Sequence, residues 1–241
     1  MLGKYYQQFF VNFGDSRATL SGALGENGFT IIHDYFQGDD YLKLQDVSNS
    51  LIGSEESQDI LMKFPFLEKP LFDQNVIKII RDYLGPHAVL DYVSGRRFLA
   101  SGNKSDDWHH DSVGHRIKIF MCINDQNETT HTKVVQATHR IKYSNYQQRK
   151  LSHEEIEKSG KVITIIGKKN DLIIFDTNMM HKGVYSDVPR EIVQFEFSDI
   201  RKSNLKGHIG MRKSKFAPSI AKSSLISNKH LNIKEGYAYF K

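Results

Sequence analysis

From residue 88 onward, apolar and polar side chains alternate with a period of two, which is the period of a half-buried β-strand. About eight short β-rich runs follow, separated by turn signals such as Ser94-Gly95 and Asn124-Asp125. The runs cover residues 89–93, 96–100, 116–124, 132–136, 162–166, 171–175, 181–185 and 190–198. Strands of this number and length are typical of a jelly roll, so the sequence predicts a mainly β, cupin-like fold.

The sequence before this region predicts helices instead. Apolar side chains recur at helical spacing within residues 15–28, 41–51, 57–64 and 73–84. Asp73 can cap the last of these helices, and Gly85-Pro86 can end it. A further helix is predicted to begin near Ser152, because Glu155 three residues later completes a capping box. We expect the N-terminal helices to pack on the sheet.

The stretch Trp108-His109-His110-Asp111-Ser112 lies between two of the predicted strands. In extended backbone, side chains two residues apart share a face, so His109 and Asp111 point the same way while His110 points the other. An imidazole and a carboxylate on one face form half of a metal site. The stretch therefore predicts a metal centre that needs a third ligand from elsewhere in the chain.

The best candidate for the third ligand is His181, which follows the apolar run at 171–175. His139 also follows a predicted strand and is the strongest competitor. Two histidines and one carboxylate with open positions are the facial triad of non-haem Fe(II) oxygenases. The single cysteine, Cys122, argues against a thiolate-rich structural zinc site, although catalytic zinc can use the same nitrogen and oxygen ligands.

An arginine follows the distal histidine at the start of the next predicted strand. Arg190 comes nine residues after His181 and opens the run at 190–198. A guanidinium is a planar, bidentate partner for a carboxylate. Arg190 could therefore anchor a dicarboxylate bound to the metal, which is the geometry that 2-oxoglutarate requires.

With these features the sequence resembles the phytanoyl-CoA dioxygenase-like branch of the Fe(II)/2-oxoglutarate-dependent oxygenases. The resemblance spans roughly residues 20 to 200. It rests on Trp108-His109-His110-Asp111, on Gln136-Ala137-Thr138-His139-Arg140, on His181 followed by Pro189-Arg190, and on Gly25-Glu26-Asn27-Gly28-Phe29-Thr30-Ile31-Ile32. The resemblance implies a double-stranded β-helix.

The resemblance also implies a ligand set and a reaction. Ferrous iron would be held by His109, Asp111 and His181, and 2-oxoglutarate would pair with Arg190. The reaction would use dioxygen to hydroxylate an unactivated C–H bond of a small-molecule substrate, with release of succinate and CO2. Because the carboxylate ligand Asp111 is present, hydroxylation is favoured over halogenation.

Four further side chains are candidates for the pocket wall. Arg97 and Lys118 lie on strands that flank the predicted site and could face inward to a carboxylate or a substrate, although a cation on the outer face of a strand is the commoner arrangement. Trp108, the only tryptophan, could line the pocket or serve as a core anchor. The resemblance places His139 at a turn, where it would be structural or face the substrate.

The charge of the chain is unevenly distributed. Residues 201–241 contain ten Lys or Arg and one acid, giving +9, so the remaining 23 basic and 27 acidic residues give −4. We predict an oxygenase domain at 1–200 and a basic extension at 201–241 that docks on it and covers part of the pocket entrance, because apolar residues are frequent in the extension. An arm that binds nucleic acid is the alternative.

Cysteine content and hydropathy suggest the compartment. One cysteine excludes an internal disulfide framework, and no apolar run approaches the length of a membrane span. The start of the chain has no apolar signal-peptide core, so a cytoplasmic protein is expected. Two other functions stay open: a cupin-like metal-dependent hydrolase or isomerase that does not use 2-oxoglutarate, and a nucleic-acid-directed oxygenase that uses the basic tail.

Overall fold

Two antiparallel β-sheets form the centre of the protein. The computed structural model describes residues 22–99, 107–111, 115–141, 152–200, 214–228, 231–234 and 236–240. In chain order the strands are β1 (Phe29–Ile32), β2 (Glu56–Ser57), β3 (Ala88–Phe98), β4 (Ile117–Cys122), β5 (His131–Val135), β6 (Val162–Ile165), β7 (Leu172–Asp176), β8 (His181–Val184), β9 (Arg190–Asp199), β10 (Lys215–Phe216), β11 (Leu231–Lys234) and β12 (Tyr237–Phe240).

The major sheet has the strand order β1-β7-β4-β9-β3-β2, and the minor sheet has the order β6-β5-β8. Side chains from both sheets meet in one apolar layer, in which Val134 and Ile165 of the minor sheet pack with Phe120, Ile173 and Ile192 of the major sheet. Two antiparallel sheets packed in this way form the predicted jelly roll, so the mainly β, cupin-like fold is confirmed.

Alternation along the central strands gives the major sheet two buried faces. On β4, Ile117, Ile119 and Met121 belong to the main core on the outer face of the sheet, whereas Phe120 and Cys122 face the minor sheet. A β-strand places successive side chains on opposite faces, so one strand supplies both layers. Because both faces are covered, these strands have almost no exposed residues.

Helices cover the outer face of the major sheet, as the sequence predicts. They are α1 (Gly22–Asn27), α2 (Gly38–Ser50), α3 (Ile60–Lys63) and α4 (Gln74–Leu84), with a 3-10 turn at Pro65–Leu71. Helix α5 (His153–Ser159) lies elsewhere, because its Ile156 packs with Trp108, Val135 and Met180. Further 3-10 turns lie at Thr138–Arg140 and Pro218–Lys222. The Asp73 carboxylate accepts from the backbone N–H groups of Asn75 and Val76, and Ser152 and Glu155 form the expected capping box. The predicted helix at 15–28 is described only from Gly22 onward.

The predicted break at Ser94-Gly95 is wrong, because β3 runs through it as one strand and replaces two of the expected strands. Gly95 pairs with Val193 on β9 and is needed there for close packing. A Cβ atom at Gly95 would lie 2.9 Å from Leu51 Cδ2 and 3.0 Å from Ile60 Cγ1. This glycine lets the helices approach the sheet and does not end the strand.

The described part of the C-terminal segment packs on the core. Strands β10, β12 and β11 form a third sheet, which the sequence reading did not predict. The Leu90 N–H donates to the Leu225 carbonyl at 2.7 Å, and the Ser214 hydroxyl donates to the Val93 carbonyl, so the segment is bound to the edge of β3. Its apolar side chains Phe216, Ile220, Leu225, Leu231 and Ala238 belong to the main core.

Within the described ranges, no helix is both long enough and apolar enough to span a membrane.

Candidate metal centre

His109 and His181 are brought together by the backbone. The His109 N–H donates to the His181 carbonyl at 3.0 Å, and the His181 N–H donates to the His109 carbonyl at 2.8 Å. This antiparallel bridge adds the segment around His109 to the free edge of the minor sheet, next to β8. The Asp111 N–H donates to the Thr177 carbonyl at 3.0 Å and holds the next inward-facing position.

The three side chains converge on one point. His109 Nε2 lies 3.6 Å from Asp111 Oδ1, and His181 Nε2 lies 3.7 Å from the same oxygen. The candidate ligand atoms all lie within 4.8 Å of one another. This spacing allows the two imidazole nitrogens and the carboxylate oxygen to contact a single ion.

Both imidazoles are held in the tautomer that a metal needs. His109 Nδ1 lies 2.7 Å from the Asp107 carbonyl, and His181 Nδ1 lies 2.8 Å from the Met179 carbonyl. A carbonyl oxygen only accepts, so each Nδ1 must carry the hydrogen and each Nε2 presents its lone pair. Backbone carbonyls commonly orient metal-binding histidines in this way.

Burial and neighbouring charges set the protonation of the candidate ligands. Burial lowers the pKa of His181 to about 4, so the imidazole is neutral at neutral pH. Burial alone would raise the pKa of Asp111, but the charge of Lys118 and the nearby histidines outweigh it and hold that pKa well below its usual range. The carboxylate is therefore ionised, as a metal ligand must be.

Lys118 lies inside the site, on β4. Its Nζ is 2.5 Å from Asp111 Oδ2 and 3.7 Å from Glu196 Oε1. Its side chain is 15 % exposed, so the ammonium group is held among these carboxylates. Of the four side chains that the sequence offers for the pocket wall, only Lys118 lines the cavity at the metal ligands.

Arg190 opens β9 and lies in the same cavity, which has a volume of about 190 Å³. Its guanidinium is buried, donates to the Thr132 hydroxyl at 2.8 Å and lies 5.1 Å from the centre of the Phe120 ring. No carboxylate among the described residues pairs with it, and its Nε has no hydrogen-bond partner there. Burial lowers the pKa of Arg190, but a guanidinium stays charged in proteins, so it is prepared for an anion.

The other three predicted pocket side chains do not line the cavity. Arg97 pairs with Glu191, whereas its neighbour Arg96 lines the cavity, because adjacent residues of a strand face opposite sides. Trp108 packs with Val135, Ile156 and Met180 in a small separate cluster. His139 is buried against the N-terminal segment, where its Nε2 donates to the Gly25 carbonyl at 2.8 Å.

His110 is fully buried and points away from the cavity, as alternation predicts for the residue between two ligands. His115 hydrogen-bonds the buried Asp176 carboxylate. That carboxylate also accepts from the Tyr83 hydroxyl at 2.7 Å and from the Asn178 N–H at 2.8 Å. This network fixes the turn that leads into His181.

Several cavity side chains were missed by the sequence reading. Gln194 and Glu196 line the cavity together with Arg190, at positions two apart along β9. The sequence could have indicated both residues, because positions separated by an even number of residues share one face of a strand. Thr132 and Tyr185 also line the cavity, and the position of Thr132 follows from its pairing with Gly183 across β5 and β8.

The comparisons identify similar folds without a sequence match. No protein-family model matches the chain, and no curated protein matches it in sequence. The epimerase SnoN in complex with Fe3+, alpha ketoglutarate and nogalamycin RO is 10 % identical, covers 78 % of this chain and 83 % of its own, and has a TM-score of 0.59.

Two other similar structures also carry a metal. EctD from S. alaskensis with bound Fe is 15 % identical over 75 % of this chain and 75 % of its own, with a TM-score of 0.58. HygX from Streptomyces hygroscopicus with nickel and 2-oxoglutarate is 15 % identical over 73 % of this chain and 83 % of its own, with a TM-score of 0.54. The chain thus shares its fold with these metal-binding proteins, and the phytanoyl-CoA dioxygenase-like branch stays a prediction.

Proposed function

We propose that this protein is an Fe(II)- and 2-oxoglutarate-dependent dioxygenase that hydroxylates an unactivated C–H bond of a small molecule. One observation carries the proposal: a two-histidine, one-carboxylate cluster lines the same cavity as a buried arginine that pairs with no carboxylate in the described part of the chain. A facial triad leaves metal positions open, and a buried guanidinium offers a site for the distal carboxylate of a keto acid.

Each residue has a defined task in this proposal. His109, Asp111 and His181 would hold the iron, which together with 2-oxoglutarate and dioxygen would supply the oxidising power, with succinate and CO2 as by-products. Arg190 binds the far carboxylate of 2-oxoglutarate, assisted by the hydroxyl of Thr132. The structures of SnoN with alpha ketoglutarate (2-oxoglutarate) and of HygX with 2-oxoglutarate support this use of the fold.

Aromatic side chains shape the cosubstrate end of the cavity. Phe120 covers the Arg190 guanidinium, and the ring of Phe98 lies 5.4 Å from the ring of Tyr185. Such apolar walls exclude water from the ion pair and strengthen it. The opposite part of the cavity carries Gln194 and Glu196, and we propose that the small-molecule substrate binds there.

We also propose that residues 201–241 form a basic extension of the oxygenase domain at 1–200. The packing of Phe216 and Ile220 in the main core supports this arrangement. No described residue of the extension lines the cavity, so the expected cover over the entrance has no support from this part of the chain. Dioxygen as cosubstrate and a cytoplasmic location stay predictions.

Succinate formation tests the proposed function. Wild-type protein with Fe(II), 2-oxoglutarate and air should produce succinate slowly even without a substrate, and Asp111→Ala should abolish it. Proton NMR of the reaction mixture would follow the product. A metal-dependent hydrolase or isomerase with the same ligands would consume no 2-oxoglutarate, so a wild-type protein that binds iron and forms no succinate would favour that alternative.

A further inference from the structure

We propose that Lys118 is a positioning residue that keeps one oxygen of Asp111 away from the metal, so that this carboxylate binds through its other oxygen alone. The proposal rests on the metal site of the proposed function. It goes beyond that function because it explains, through Lys118, how many coordination positions on the metal stay open.

The two oxygens of Asp111 face different partners. Oδ1 is nearly equidistant from the Nε2 atoms of His109 and His181, at 3.6 and 3.7 Å. Oδ2 lies 2.5 Å from the Lys118 ammonium group. Electrostatic attraction between this ammonium group and Oδ2 favours one rotation of the carboxylate, in which Oδ1 faces the two histidine Nε2 atoms and Oδ2 faces Lys118.

A chain of alternating charges holds Lys118 in place. The ammonium group lies 3.7 Å from Glu196 Oε1, and Glu196 Oε2 lies 2.9 Å from the Arg116 guanidinium. Arg116 in turn lies 3.2 Å from Asp91. Apart from Asp111, all of these groups are on or next to adjacent strands of the major sheet, β3, β4 and β9, and all are nearly buried. Lys118 therefore lies between two carboxylates, and moving into solvent would remove its ammonium group from both Asp111 and Glu196.

The number of open positions depends on this contact. A six-coordinate ion bound by two imidazoles and one carboxylate oxygen keeps three positions free. If Asp111 bound through both oxygens, only two would remain. A chelating keto acid needs two positions and dioxygen needs one, so the proposed reaction requires the arrangement that Lys118 enforces.

Counting the water molecules on bound Mn(II) tests the proposal directly. Broadening of the Mn(II) electron paramagnetic resonance signal in 17O-enriched water reports the number of coordinated waters. We expect three waters on the wild-type protein and two on Lys118→Met, because the second oxygen of Asp111 becomes free to bind. Lys118→Arg retains the positive charge and should keep three. Lys133→Met, on β5 and outside the cavity lining, is the matched control and should also keep three.

Metal affinity gives a second readout that a purely structural role would not produce. Removing a positive charge beside the ion and adding a ligand oxygen should leave the Mn(II) affinity of Lys118→Met equal to or tighter than that of wild type. A structural lysine would instead lower the affinity together with the thermal midpoint.

Three waters on Lys118→Met would overturn the proposal, as would a weaker Mn(II) affinity in that variant. Two waters on the wild-type protein would overturn it even if the variant failed to fold. The water count uses no 2-oxoglutarate, so it is independent of keto-acid binding. If the wild-type protein bound Mn(II) but not 2-oxoglutarate, the proposed function would be wrong, and the number of bound waters would still decide the role of Lys118. A wild-type protein that binds no Mn(II) would overturn both.

Discussion

His109 and His181 are partners in an antiparallel bridge, with their ring centres 4.5 Å apart and both backbone hydrogen bonds formed between them. The bridge fixes the two rings before any ion arrives, because each ring is also tied to a backbone carbonyl through Nδ1. The candidate metal site is therefore built into the fold, and its proposed ligands would need little reorganisation to bind an ion.

The strand geometry predicts opposite results for two adjacent histidines. His109→Ala should abolish Mn(II) binding, whereas His110→Ala should keep the affinity within a few-fold of wild type, because His110 faces away from the cavity. His110→Ala should still lower the thermal midpoint, since its side chain is fully buried. Titration calorimetry measures the affinities, and equal losses in both variants would mean that this backbone is not extended.

Arg190→Met should weaken 2-oxoglutarate binding to the metal-loaded protein about 10- to 100-fold. Hydrogen bonds to a charged group contribute about 1.5–3 kcal/mol, and the variant removes the guanidinium that we propose pairs with the distal carboxylate. Arg81→Met on helix α4 is the control, because Arg81 does not line the cavity. Calorimetric titration with 2-oxoglutarate checks the prediction, which is wrong if both variants bind as wild type does.

The C-terminal segment should stabilise the fold through its core side chains. Phe216→Ala should lower the free energy of unfolding by about 3–5 kcal/mol, because Phe216 is fully buried in the main core. Ile233→Ala in β11 should change it by less than about 0.5 kcal/mol, because Ile233 is 58 % exposed. Urea denaturation measures both values. Similar, small effects would show that the segment is dispensable for stability.

Glu68 should make stability fall as pH rises. Burial raises the pKa of Glu68 from 4.5 to about 7, so between these pH values the folded protein holds one proton more than the unfolded chain. The free energy of unfolding contributed by this group therefore decreases from about pH 4.5 to about pH 7 and is constant above that range. Glu68→Gln should remove the decrease.

The control for this prediction is Glu154→Gln on helix α5, where the carboxylate is exposed and pairs with Lys158. Thermal midpoints measured from pH 5 to pH 8 should diverge between wild type and Glu68→Gln, with the variant gaining relative stability up to about pH 7. Parallel profiles for wild type and Glu68→Gln would show that the Glu68 carboxyl ionises as readily in the folded protein as in the unfolded chain.

The sequence predicted the elements whose signals are local. Alternation in extended backbone placed His109 and Asp111 on one face, and Asp73 and Ser152 act as the caps that their positions suggest. Strands β4 to β9 of the two sheets also overlap the β-rich runs that the sequence predicts.

Features that depend on distant contacts could not be predicted in the same way. The role of Gly95 becomes clear only once Leu51 and Ile60 are seen to pack over it. Which face of β3 lies toward the cavity decides that Arg96 lines it and Arg97 does not. The pairing of Lys118 with Asp111 depends on how the edge of the minor sheet meets the major sheet. Sequence spacing contains none of this information.

Anaerobic spectroscopy tests the central claim most directly. Fe(II) and 2-oxoglutarate added without oxygen to the wild-type protein should give the weak visible charge-transfer band of a keto acid chelated to iron. The band should be absent from His181→Ala and present in His110→Ala. A well-folded wild-type protein that shows no band with both components present would contradict the account.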